Sequence, residues 1–378
     1  MTPTVFPHFN TFRFYAAFLV FIQHAEEIAH LSNLPSWHLK SNIKDLGAIG
    51  VTMFFTLSGF LITYILIKKY DKESLKQFYI NRLLRIWPLY FIILLVYKII
   101  VPMFDGNFVS FFANEQNSDV AFQPIVEITP TTEWFLLLFM MPHVLLALGH
   151  VFNPLFIWSI GVEELFYLIW PKMIKNKVRI VRKLKLLLAI YLVVYLFCFS
   201  MWMYAIKSDL TLERNVFQGL TTFLYLQRIS CMVIGGYFAF RFVEQSKDLI
   251  PSTNSFIVWI CIFILAAIIV GGIYYPVFIN EIIAGAFGYI LYRVSLGDKI
   301  FDGTILKLFF NKATELGGKY SYGIYMYHTM CLYLSVGALR HFNALSKLNL
   351  YLGGFILTLF FSIISFEIVE KRFLYLKK

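Results

Sequence analysis

Charge is scarce in this sequence: Asp, Glu, Lys and Arg make up 15% of its 378 residues, against roughly 25% in ordinary soluble chains. With a hydrophobic fraction of 59% and a mean hydropathy of +0.70, that deficit excludes water as the main solvent of the fold. Cysteine is scarce too. Cys198, Cys231, Cys261 and Cys331 all fall in apolar segments without metal-type spacing, which excludes a disulfide framework and a zinc site and leaves them as small packing residues. Walker and dinucleotide-binding fingerprints are missing, so Gly47, Gly50, Gly59, Gly235 and Gly236 are expected at close helix contacts, not around phosphates. There is no internal repeat, no low-complexity tract and no alternating porin pattern, and no stretch between the apolar runs is long enough for a soluble domain.

What is present is a series of apolar runs of about 17 to 25 residues, the length that crosses roughly 30 Å of hydrocarbon. The first is followed by Glu26 and Glu27 instead of a small-residue cleavage site, and is expected to be a retained helix, not a signal peptide. The net charge of +11 bears on topology and not on nucleic acid, because cytoplasmic loops of membrane proteins collect Lys and Arg. Lys68, Lys69, Lys72, Lys76, Arg82 and Arg85 form one basic segment, and Lys172, Lys175, Lys177, Arg179, Arg182, Lys183 and Lys185 another; both are expected in the cytoplasm. The stretch from Phe104 to Asn153 has no Lys or Arg but carries Asp105, Glu115, Asp119, Glu127 and Glu133, and is expected outside.

Parity along the chain then predicts an all-α polytopic transmembrane helix bundle. Its spans lie near 10–30, 48–67, 83–103, 154–171, 186–206, 217–240, 255–273, 277–293, 320–338 and 349–370, about ten, with both termini cytoplasmic and residues 134–148 interfacial or re-entrant. In this arrangement 25 of the 33 basic residues are cytoplasmic and six are external, while Lys98 and Arg228 lie within the membrane. The whole of 1–378 is expected to be a single transmembrane domain.

A charged side chain inside a span costs about 2.5 to 3.5 kcal/mol, so each needs a partner, an aqueous cavity or a function. Arg13 and His24 are eleven residues apart, about 16 Å along a helix and offset by only about 20°, so they share a face. Arg82 and Arg85 stand side by side at i, i+3, suited either to gripping a pyrophosphate or to anchoring the chain on anionic lipid headgroups. Glu163 and Glu164 point about 100° apart, so at most one is expected to share a cavity with His24, where a carboxylate would set the tautomer or basicity of a general base. The plainer role is a hydrogen bond to Ser159 or Trp158. Arg228 is expected to pair with an acid, Glu163 first, and His328 to serve as a second acid/base or a cavity-lining donor.

These segments, in order, resemble the acyltransferase 3 family of membrane O-acyltransferases, and the resemblance covers nearly the whole chain. FNTFRFYAAFLVFIQH is similar to the family's opening Arg–ten residues–His motif, carried by Arg13 and His24. GVTMFFTLSGFLIT resembles its second-helix signature, with Thr52 where an acid is common. FYINRLLRIWPLYF carries the Arg–two residues–Arg motif at Arg82 and Arg85, and WSIGVEELFYLIWP the serine and double acid at Ser159, Glu163 and Glu164. YSYGIYMYHTM and FEIVEKRF resemble the closing helices, with Lys371 and Arg372 where a proline often follows the glutamate. The chain ends eight residues after Glu370, so the stand-alone membrane form is expected, without the esterase-like domain fused to some members.

The resemblance implies acyl-CoA, most often acetyl-CoA, as donor and a cell-surface or lipid-linked carbohydrate hydroxyl as acceptor, in a bacterial cytoplasmic membrane. It implies that Arg82 and Arg85 hold the donor's phosphates and that Arg13 places the pantetheine arm or thioester. His24 then acts as general base or transient acyl carrier, and Glu163 orients it. Ser159, Glu164, Arg228 and His328 shape the cavity, and no metal is required. Trp134, His143 and His150 are expected on the acceptor-facing surface from their position alone. The rival class is a secondary transporter or flippase, which would show inverted repeats and paired broken helices.

Overall fold

The computed structural model describes residues 6–37, 45–69, 75–100, 127–150, 152, 154–174, 180–208, 211–245, 256–272, 278–298, 300–301 and 306–376. Parts of the expected basic loops, at 70–74 and 175–179, and residues 101–126 of the acidic external stretch lie outside the described residues. Among the described residues the chain is helical and contains no strand, as the cost of unpaired backbone groups in hydrocarbon requires.

The helices are α1 (Phe9–Leu31), α2 (Leu46–Lys69), α3 (Leu75–Leu95, running into a π turn at Val96–Ile100), α4 (Pro130–Leu138), α5 (Pro142–Ala147), α6 (Trp158–Ile174) and α7 (Ile180–Lys207). They continue with α8 (Thr211–Gln227), α9 (Ile229–Gln245), α10 (Phe256–Gly271), α11 (Ile279–Ser295), α12 (Lys312–Lys319), α13 (Ser321–His341) and α14 (Lys347–Ser365). The last passes through a π turn at Phe366–Glu370 into Lys371–Tyr375. Among the described residues five stretches are long and apolar enough to cross a membrane: Leu46–Lys68, Leu75–Ile99, Val181–Lys207, Glu213–Gln245 and Lys347–Tyr375. Helices α4 and α5, nine and six residues long, are each too short to cross.

The chain divides into two compact units, Met1–Ile93 with Ile234–Lys378, and Leu94–Val233. In the first, α1 packs against α2, α12, α13 and α14. Its apolar face (Phe9, Phe12, Ala16, Val20, Phe21, Ile28) is buried, and Phe12 meets Phe287 of α11 edge-on at 5.3 Å. Small residues allow the close approaches. A Cβ on Gly50 would lie 2.4 Å from the Ala16 carbonyl oxygen, and one on Gly235 would lie 2.0 Å from the Thr56 carbonyl oxygen, so both glycines serve helix contact as the sequence suggested. Thr52 is fully buried. Its hydroxyl donates to Asn280 Oδ1 at 2.8 Å and ties α2 to α11.

In the second unit α8 packs against α5, α6 and α7. The Thr129 side chain accepts from Thr132 N–H and Pro130 occupies the first turn, which starts α4. The predicted span at 217–240 is not one uninterrupted helix. Arg228 has φ of 39°, a left-handed backbone that costs a non-glycine residue about 1 to 3 kcal/mol, and it separates α8 from α9.

Candidate active site

Helix α1 is unbroken from Phe9 to Leu31, so Arg13 and His24 keep the common face that their spacing predicts. Arg13 donates to Asn10 Oδ1 at 3.2 Å. At the other end, His24 Nδ1 lies 3.1 Å from Glu27 Oε2, a contact made possible by the i, i+3 spacing on one helix. An ionised carboxylate can only accept, so Nδ1 carries the proton and Nε2 is the basic nitrogen.

His328 comes to the same place from α13: its ring centroid is 4.9 Å from that of His24. The two histidines that the sequence singled out, one on each of two distant helices, are neighbours. His328 is buried, and its Nδ1 lies 2.7 Å from the Tyr325 carbonyl oxygen. A carbonyl only accepts, which fixes the proton on Nδ1 of this ring as well. Tyr325 also packs edge-on against Phe54 of α2 at 6.0 Å. His24 and Glu27 retain 23% and 19% side-chain exposure, so the imidazole is not sealed among aliphatic neighbours.

The residue beside Glu27 points elsewhere, as adjacent helical positions must. Glu26 is 2% exposed and takes Lys347 Nζ at 2.6 Å, the Trp37 backbone N–H at 2.6 Å and the Tyr351 hydroxyl. Lys347 in turn lies 4.2 Å from the centre of the Trp37 ring. Glu26 thus clamps α1 to α14, while Glu27 serves the histidine.

On α3, Arg82 and Arg85 are half-buried, and the Arg82 guanidinium lies over the Phe78 ring at 5.6 Å. The charge of Arg85 acts on Glu370 in the closing π turn, where the Ser365 hydroxyl donates to Glu370 Oε1 at 3.5 Å. The segments FYINRLLRIWPLYF and FEIVEKRF therefore meet through their charges, a link the spacing within either could not disclose.

The remaining predicted residues lie in the second unit. Tyr167 donates its hydroxyl to Glu163 Oε2 at 3.2 Å, Glu164 is half-buried and Ser159 is buried. Arg228, 3% exposed, has its guanidinium over Trp158 at 5.7 Å and over Tyr225 at 5.1 Å, so cation–π contact is part of how the charge is accommodated. Glu133 bridges Lys98 and His150, giving the intramembrane lysine an acid. His143 is 1% exposed, neither ring nitrogen has a hydrogen-bond partner, and burial holds the imidazole down at about 4. Among the described residues there is no group of three or more His, Cys, Asp or Glu able to hold a metal.

Sequence reasoning passed over Glu27, Glu26 and Glu370. The first had a usable signal, an acid three residues after the histidine. The other two find their partners on helices that are remote in the chain.

Comparison with known proteins comes to bear on this geometry. A family model described as an acyltransferase domain matches residues 7–367. The chain is 27% identical over 322 residues to a peptidoglycan O-acetyltransferase of Listeria monocytogenes, covering 81% of this chain and 48% of that protein. It is 26% identical over 359 residues to a Staphylococcus aureus protein named provisionally as an O-acetyltransferase, covering 89% of this chain and 54% of that one. The chain therefore spans about half the length of the curated relatives it matches. No solved structure matches it.

Proposed function

The chain belongs to the acyltransferase 3 family, and on that premise we propose that it is an integral membrane O-acetyltransferase. In this proposal it moves an acetyl group from cytoplasmic acetyl-CoA to a hydroxyl of a cell-surface or lipid-linked carbohydrate. The observation that carries it is the pairing of His24 with His328 at 4.9 Å, on a continuous helix whose other end bears Arg13. The peptidoglycan substrate in the name of the Listeria relative supports a carbohydrate acceptor.

In the proposed reaction His24 Nε2 takes the proton of the acceptor hydroxyl as its oxygen attacks the thioester carbonyl. The tetrahedral adduct collapses with cleavage of the C–S bond, and the imidazolium returns the proton to the departing thiolate. In the second course open to the same group, the imidazole attacks first and carries the acetyl until the hydroxyl displaces it. Arg82 and Arg85 hold the donor's phosphates, because paired guanidinium forks bind phosphate oxygens in bidentate fashion, and Arg13 steers the pantetheine arm along the face that leads to His24. Ser159, Glu164 and Arg228 are assigned to the substrate cavity, as the sequence reading has them.

The proposal includes about ten crossings with both termini in the cytoplasm and residence in a bacterial cytoplasmic membrane. The helices bearing His24 and His328, α1 and α13, fall outside the five long apolar stretches, as expected of helices that line a reaction path and carry polar side chains. Labelling of single introduced cysteines from each side of sealed vesicles tests this topology.

The functional test is direct. Reconstituted protein should release thiol from acetyl-CoA only when glycan is supplied, and the glycan should gain an acetyl mass. Glycan flux without thiol release would establish a transporter instead. His24→Ala should abolish turnover while membrane insertion stays intact; retained turnover removes His24 from the mechanism.

A further inference from the structure

We infer that Glu27 is the positioning residue for His24, holding it in the Nδ1–H tautomer with Nε2 as the working base; this rests on the acyl-transfer proposal above. Sequence reasoning gave the orienting part to Glu163. The carboxylate hydrogen-bonded to the imidazole is Glu27 Oε2, 3.1 Å from Nδ1. Three features make it suited to the task. It belongs to the same rigid helix as the histidine, so their separation does not depend on how other helices settle. Its side chain is 19% exposed, so it is not sealed in the packed interior. Its neighbour Glu26 takes the structural contacts to Lys347, Tyr351 and Trp37, so the two adjacent acids have different tasks.

Other titratable and charged groups stand on the elements packed around this end of α1. His328 and Tyr325 come from α13, Lys347 and Tyr351 of α14 are engaged by Glu26, and His30 is on α1 itself. Asp45 stands at the head of α2, where the Gly47 N–H meets Gln23 Oε1, and Glu281 lies on α11. The charged side chains of α12, Lys312, Glu315 and Lys319, belong to the opposite end of α1, where a Cβ on Gly318 would reach the Asn10 backbone. Of these groups Glu27 alone is hydrogen-bonded to His24 Nδ1 in the contacts described, so its charge acts at the shortest range.

The test compares Glu27→Gln and Glu27→Asp with the wild type in the purified full-length protein, using acetyl-CoA and a glycan acceptor. Glu27→Gln keeps the shape and removes the charge. Its kcat should fall on the order of 10- to 100-fold with KM for acetyl-CoA unchanged. The acidic limb of its pH profile should move to lower pH, because an imidazole without an adjacent carboxylate is a weaker base and sheds its proton sooner. Glu27→Asp restores the charge and should return the limb toward its wild-type position. A fall in kcat with the limb unmoved, or an unchanged kcat, overturns the inference.

A second readout needs no turnover. The pH dependence of diethylpyrocarbonate modification at His24, followed by peptide mass spectrometry, should shift in the same direction in Glu27→Gln. If the wild type fails to transfer acetyl at all, the functional proposal falls, yet this profile still decides the role of Glu27: a shift upholds the pair, and coincident curves refute it.

Discussion

Replacing Glu26 by glutamine probes how the first helix is held, and its cost can be worked from the contacts. One carboxylate oxygen takes Lys347 Nζ and the Tyr351 hydroxyl, and the other takes the Trp37 N–H. An amide offers one oxygen only. If that oxygen stays with Lys347 and Tyr351, the NH2 faces the Trp37 N–H, donor against donor; if it turns, two donors on α14 lose their acceptor. Either way one side of the clamp is lost, and the other falls from charge-assisted to neutral strength. A hydrogen bond to a charged group contributes about 1.5 to 3 kcal/mol, so the net loss should be about 3 kcal/mol. An unfolding entropy of about 2.1 cal/mol/K per residue then implies a midpoint lower by roughly 4 °C for a chain of this length. Tryptophan fluorescence during heating of the detergent-solubilised protein measures it, with Trp37 inside the affected contact. Glu27→Gln is the control, since an i, i+3 pair within one helix contributes under about 1 kcal/mol. A Glu26→Gln midpoint within about 1 °C of the wild type would refute the clamp.

Arg85→Ala should raise KM for acetyl-CoA about tenfold, the loss of roughly 1.4 kcal/mol of phosphate contact, with acceptor KM unchanged. If Arg85 served only to neutralise Glu370, the double variant with Glu370→Gln would recover activity, and no recovery is expected. His143, held neutral at about 4 against an ordinary 6.5, makes stability pH-dependent: between those values the unfolded chain binds the proton that the folded one refuses. Stability should be full above pH 6.5 and fall by up to about 3 kcal/mol as pH drops to 4, and His143→Phe should flatten that slope in thermal melts across the range. Gly50→Val should destabilise by about 3 kcal/mol, because the added carbon meets the Ala16 carbonyl and neither helix backbone can yield; the monodisperse fraction on size exclusion reports it.

The helical class, the position of most helices and the common face of Arg13 and His24 were legible because each depends on local pattern: apolar length, or the angular step of one helix. The meeting of His24 with His328 was not, since nothing along the chain states which helices touch. Residues 217–240 read as one apolar run, but apolarity says nothing about backbone handedness, and the left-handed turn at Arg228 goes with its guanidinium lying over Trp158 and Tyr225. Glu26 and Glu27 were seen only as evidence against a cleavage site. Their division of labour follows from the angle between consecutive helical positions, which becomes informative once α13 and α14 are in place around them.

The clamp also bears on biosynthesis. Glu26 waits for Tyr351, 325 residues later, and the α1 residue Thr11 has its partner Thr314 at a separation of 303. A growing polypeptide therefore carries its opening helix, acids and all, through most of translation without the neighbours that satisfy it. The two imidazoles cannot come together until the ribosome has released the segment around residue 328, so their pairing is among the last contacts of the bundle to form.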